Sequence, residues 1–187
     1  MNSPQKIGLK KLGLKSRWKM PPTLRLLREI VEIFLIVFAL SWVIKTYLLG
    51  FATTTDQSML PTLNDQNHLV VEKWINKHIA SLETGNIIVF TYGNATAAKR
   101  VIGLPGDKVE IKSGYTFING QPIYEPYANT PATYTFLPVI VPQGAVFVIN
   151  DDRTDPLDSR HYGFIYEKDI VGRAFVCFWP LSYMKTL

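Results

Sequence analysis

The hydrophobic pattern changes character once along the chain. Ile33–Ile44 reads IFLIVFALSWVI without a charge, and Tyr47, Leu48, Leu49 and Phe51 extend the apolar run. Ile30–Leu49 supplies the roughly 20 mostly apolar residues that a helix needs to cross a bilayer. Glu32 and Lys45 lie near its ends, where long side chains reach water, and Trp42 and Tyr47 suit an interface. From residue 53 the pattern becomes strand-like. HLVVEK (68–73), NIIVFTYG (86–93), DKVEIK (107–112), AVFVIN (145–150) and IVGRAFVCFW (170–179) are rich in Val, Ile and Phe. Asn119-Gly120 between YTFI and QPIY signals a type I′ hairpin, and Gly103, Pro105 and Gly106 punctuate another turn. No long helical period follows residue 51. The pattern predicts a mostly β domain of short antiparallel strands behind one N-terminal transmembrane helix, with a loop-rich stretch at 121–144.

Composition narrows the function classes. Of 187 residues, 47% are apolar and 19% charged, which excludes a disordered chain. A single cysteine, Cys177, excludes an intramolecular disulfide, and His68, His78 and His161 lack metal-ligand spacing. No metal or cofactor is expected. The net charge of +5 hides an asymmetry. Lys6, Lys10, Lys11, Lys15, Arg17, Lys19, Arg25 and Arg28 stand in residues 1–28 without one Asp or Glu. The rest of the chain holds 12 basic and 15 acidic residues, so the basic pI does not point to nucleic acid.

The positive-inside rule then predicts a basic cytoplasmic segment at 1–28, a transmembrane signal anchor at 29–50 and an extracytoplasmic β domain at 51–187. A buried helix of a soluble domain leaves the acid-free basic flank unexplained. A cleavable signal peptide has a shorter charged region than this one. Residues 1–20 alternate Lys with Ile7, Leu9, Leu12, Leu14 and Trp18, a pattern that suits an anionic leaflet or a solvated tail equally.

Three blocks carry candidate chemistry. Ser58 sits in TTDQSMLPTL, just past the apolar run; a serine hydroxyl needs a base to become a nucleophile. Lys99 sits in AAKRVIGLPGDKVEI, among small and apolar residues. A lysine serves as a base only when neutral, and apolar burial favours that form. The third block is NDDRTDPLDSRHYG (150–163). Its aspartates Asp151, Asp152, Asp155 and Asp158 do not fit a calcium loop. They suit a loop held by Arg–Asp bonds, with Arg153 and Arg160 as partners and Asp158–Arg160 as the ordered pair. Taken singly, each block also reads as an ordinary turn or a solvated face.

In this order behind an anchor, the blocks resemble type I signal peptidases of the bacterial kind. The matching stretches are SMLPTL (58–63), GNIIVF (85–90), KRVIGLPGD (99–107) and DDR…DSRHYG, ending at 163. The resemblance implies a serine–lysine dyad on a mostly β fold. Ser58 matches the nucleophile and Lys99 the general base. Met59 matches the residue that shapes the site, and Asp158 and Arg160 the structural pair. It further implies a single-pass enzyme of the plasma membrane that removes signal peptides from secretory preproteins after Ala-x-Ala-type sequences. The bilayer and the preproteins are its partners, and no nucleic acid is.

Two positions depart from the family pattern. Asp56 replaces a serine or glycine two residues before the nucleophile, and an anion there is expected to point away, leaving the Ser58 N–H as the oxyanion donor. Pro156 replaces a serine that helps orient the lysine. These departures sustain an alternative, an inactive assembly factor that binds signal-like segments without cutting. The retention of both Ser58 and Lys99 argues against it. Phe51, Met59 and Leu60, next to the span and to Ser58, are expected either to place the rim of the site against lipid or to pack into the core, the two readings being equally open.

Overall fold

The computed structural model describes residues 21–73, 79–128 and 134–187. Most of the predicted basic segment (1–20) and His78 lie outside the described residues. The chain divides into two compact units, residues 1–40 and 41–187.

The described part of the first unit is the body of helix α1 (Pro22–Val43). Pro22 suits the first helical position, and no Gly or second Pro interrupts the rest of the helix. Arg28 and Glu32 pair at 2.9 Å one turn apart on its surface. None of its residues is buried, although Leu, Ile, Val and Phe fill its second half. Among the described residues no helix is long and apolar enough to cross a membrane. Arg25, Arg28, Glu29 and Glu32 charge the first half of α1, and only Ile33–Val43 is uncharged.

The strand structure starts close to the end of the apolar run. After Val43 the chain makes a π-type turn, Ile44–Leu48, and strand β1 (Leu49–Thr53) begins there. Leu49 and Gly50 pair with Glu72 and Val71 of β2 (His68–Glu72). The apolar run outlasts the helix because Leu49 and Phe51 belong to a strand, and hydrophobicity alone does not separate a short apolar strand from the end of a span.

The second unit is built on two antiparallel sheets. The larger uses β1, β2, β3 (Ile87–Tyr92), β4 (Ala95–Gly103), β9 (Ala145–Ile149), β10 (Ile165–Tyr166) and β11 (Ile170–Trp179) in the order β1-β2-β11-β3-β4-β9-β10. The short β12 (Lys185–Thr186) flanks the end of β11. The smaller sheet runs β7-β6-β5-β8: β5 (Lys108–Lys112), β6 (Tyr115–Ile118), β7 (Gln121–Pro122) and β8 (Phe136–Ile140). Asn119 and Gly120 both have positive φ, 53° and 81°, and join β6 to β7 as the two-residue hairpin their sequence predicts. The loop-rich reading of 121–144 missed β8. Its FLPVI contains Pro138, and its residues are half-buried or exposed, so the alternation is weak.

Successive side chains of β3 point to opposite faces. Ile88 and Phe90 join a core with Val101, Val146 and Val148, while Ile87 and Val89 join Leu69, Val71, Met59 and Leu63. Covering both faces explains why β3 reads as an unbroken apolar run. A third core, with Ile102, Val109, Ile111 and Phe147, underlies the smaller sheet.

Candidate active site

Ser58 lies in the long connection between β1 and β2. Both ends of that connection are pinned: Thr54 N–H donates to Asn67 O at 3.0 Å, and Asn67 N–H to Thr54 Oγ1 at 2.9 Å. In the middle, Met59 and Leu63 enter the core, and Leu63 N–H donates to Met59 O at 2.7 Å. Ser58 is thus held directly above a buried anchor. Its carbonyl accepts from Asp152 N–H at 2.9 Å, so the third block touches the first.

Lys99 is carried by β4, opposite Ile88 of β3. Strand alternation puts it on the same face as Ala97 and Val101, whose cluster also holds Ile88 and Phe90. It is 1% exposed and Ser58 3%. Lys99 Nζ donates to Ser58 Oγ at 2.5 Å, across 41 residues of sequence. An apolar stem wall, a single amine and a single hydroxyl are the elements of a nucleophile–base pair.

Asp56 does not point away. Its Oδ1 accepts from Ser58 Oγ at 2.6 Å and from Ser58 N–H at 3.1 Å, and its Oδ2 lies 3.5 Å from Lys99 Nζ. The expectation from oxyanion repulsion fails because no oxyanion is present at rest, and the nearest unbalanced charge is the lysine. With Pro156 lacking a hydroxyl, Asp56 supplies the second polar contact of Lys99.

Asp158 is fully buried and caps the short helix α2 (Ser159–Tyr162). It accepts from Asn150 N–H at 2.9 Å and from Arg160 Nε and an Arg160 terminal nitrogen at 2.7 and 2.6 Å. Burial works against both charges. It pushes the Asp158 carboxyl up to about 7, against the N–H bonds of Asn150 and Arg160 and the positive charges of Lys99 and Arg153. It also pulls the Arg160 guanidinium down to about 10. Arg153 pairs with Glu125 and donates to Thr116 Oγ1 and Asn150 O, not to an aspartate as the block's composition suggested. Glu125 is remote in sequence, so no local pattern exposed it.

Sequence reasoning also missed the pair beside the lysine. Arg100 grips Asp151 through two bonds of 2.7 and 2.5 Å, donates to Gly85 O at 2.7 Å and to Thr62 Oγ1 at 3.2 Å, and stacks on Tyr127 at 3.9 Å. It ties β4 to both loops that frame the site. The signal was an arginine next to Lys99 and a surplus of acids in the third block. Met59 is 1% exposed, so its expected lipid contact is corrected: it fills the core, whereas Phe51 is 66% exposed. Among the described residues no three His, Cys, Asp or Glu side chains gather to hold a metal.

A family model described as signal peptidase, peptidase S26, matches residues 27–179. A signal peptidase I of Leptolyngbya laminosa is 37% identical over 154 residues, covering 77% of this chain and 75% of that protein. One from Bacillus amyloliquefaciens is 35% identical over 164 residues, covering 81% and 84%. A crystal structure of a signal peptidase I from Enterococcus faecalis V583 shares 30% identity with a TM-score of 0.46, over 50% of this chain and 96% of that one.

Proposed function

The chain belongs to the signal peptidase family, peptidase S26, and from that premise we propose that Ser58 and Lys99 are its catalytic dyad. Removal of signal peptides by a serine peptidase is the activity that membership carries. One observation supports the assignment above all: a buried amine and a buried hydroxyl meet at 2.5 Å from blocks 41 residues apart.

The reaction follows from the atoms present. Neutral Lys99 Nζ takes the Ser58 hydroxyl proton as Oγ bonds the scissile carbonyl carbon, and the carbonyl electron pair moves onto its oxygen. The Ser58 N–H receives that oxyanion. Collapse breaks the C–N bond, and the Lys99 ammonium gives its proton to the leaving amine. Lys99 then takes a proton from water as the water oxygen bonds the ester carbon, the C–Oγ bond breaks, and Lys99 returns that proton to Ser58 Oγ as the signal peptide leaves with a free carboxyl end. Met59 fixes Ser58 from below, and the Asp158–Arg160 pair holds the loop whose Asp152 N–H supports the Ser58 carbonyl.

The preprotein binds as an added strand in this reading. β1 is an edge strand, and β4 pairs with β9 only from Arg100 onward, leaving its first half free on that side. A groove of about 520 Å³ runs between them, lined by Phe51, Thr53, Val89, Ala95 and Thr96. Main-chain pairing gives affinity there, and the preprotein presents small side chains at the first and third positions before the cut.

The same reading makes the chain a single-pass protein of the plasma membrane, with its N-terminus in the cytoplasm and the β domain outside. The acid-free basic start supports the orientation, and the uncovered apolar side chains from Leu24 to Trp42 support the anchor. Phe51, Phe178, Trp179, Leu181 and Met184 are exposed on the β domain and suit contact with the outer leaflet. Incubating the detergent-solubilised full chain with a preprotein bearing an Ala-x-Ala site, then sequencing the new N-terminus, tests the reading. Cleavage immediately after that site is expected; an uncut preprotein contradicts it.

A further inference from the structure

Asp56 is the member of the cluster that a serine–lysine mechanism does not require. Its contacts oppose that mechanism. The Ser58 N–H, needed for the oxyanion, is spent on Asp56 Oδ1, and the Ser58 hydroxyl is aimed at the same oxygen instead of the amine. Oδ2 lies 3.5 Å from Nζ, so the same carboxylate also holds the amine that has to take the Ser58 proton. Among the described residues the Asp56 carboxylate pairs only with Ser58 and Lys99. Its side chain is 48% exposed while that of Lys99 is 2% exposed, so the carboxylate, and not the amine, is free to turn toward water.

We propose that Asp56 is a positioning residue that latches the dyad at rest: its carboxylate fills the oxyanion position and holds both Ser58 and Lys99 until the main chain of a bound preprotein displaces it. The inference rests on the dyad reading. When the carboxylate turns out to solvent, the Ser58 N–H and the Ser58 hydroxyl are freed. The Ser58 proton then passes to Nζ as the Oγ–C bond forms. Weakly held peptides leave the latch closed, whereas a preprotein paired along both strand edges opens it. Lys99 also feels the charge of Asp158, from the segment before α2, and Tyr162 of α2 feels Asp56.

The test is the pH profile of kcat for the full chain in detergent, with Asp56→Asn and Asp56→Ala beside wild type. Asn keeps the acceptor and removes the charge; Ala removes both. In either variant the profile rises above that of wild type at neutral pH, because the Ser58 N–H and hydroxyl are no longer held by a carboxylate. Asp56→Ala also raises single-turnover acylation at neutral pH about two- to fivefold. A short Ala-x-Ala peptide gains more than the full preprotein. Superimposed profiles, or a tenfold fall of kcat in a folded variant, overturn the latch, the second by showing that the carboxylate assists the reaction. Circular dichroism checks folding, and either variant alone decides the matter of the charge. Ser58→Ala is measured alongside: continued cutting by it breaks the dyad reading, while an inert Ser58→Ala with wild-type-like Asp56 variants breaks the latch alone.

Discussion

At the scale of single residues, buried charges govern what the site tolerates. Asp158 is fully buried and Arg160 nearly so, and each is the other's ionic partner. Asp158→Ala leaves a guanidinium without its carboxylate and removes the cap of α2, and should cost about 3–5 kcal/mol in urea unfolding. A loss below about 1 kcal/mol would show that Arg160 finds another acceptor. Ser58, Lys99 and this pair were legible because each stands in a block with its own local pattern. Asp56 was legible as a departure, but its direction was not, since that depends on an amine 43 positions away. The Arg100–Asp151 and Arg153–Glu125 pairs were hidden for the same reason: long-range ion pairs leave no periodicity in sequence.

At the scale of elements, close packing between the two sheets sets the course of β4 beyond the lysine. Gly103 ends that strand where a Cβ would lie 2.5 Å from Val109 Cγ2 and 2.9 Å from Val141 Cγ2. Gly103→Ala should therefore destabilise by about 1–3 kcal/mol through overpacking, read as a lowered Tm. An unchanged Tm would mean that the two valines move aside at no cost. β2, β3, β5, β9 and β11 were visible as apolar runs because at least one face of each is buried. β8 was not, because its partly solvated edge position and Pro138 blur the pattern. β1 was read as the tail of a span, and only its pairing with β2 assigns it to the sheet. On its exposed side Phe51 meets Phe178 edge-on at 5.9 Å. Phe51→Ser in full-chain proteoliposomes should speed hydrogen exchange along the exposed edge of β1, and unchanged exchange would confine membrane contact to the anchor.

At the scale of the whole molecule, the reading is an apolar anchor with a basic, acid-free start and a β domain that cuts on the far side of the membrane. External protease added to intact spheroplasts should digest the chain beyond about residue 50 and spare the start, given the charge bias. Protection of the β domain would reverse the orientation. The activity of this assembly stands or falls with one pair of atoms. Full-length Ser58→Ala, Lys99→Ala and the double variant should be compared in proteoliposomes for release of a signal peptide from a preprotein. Folding is to be verified by circular dichroism. Each single change should lower the rate by about three orders of magnitude or more, and the double variant should be scarcely slower, because the pair acts as one unit. Lys99→Arg should fail too, since a guanidinium stays protonated. A folded Lys99→Ala protein that cuts at the wild-type rate would contradict the serine–lysine account outright.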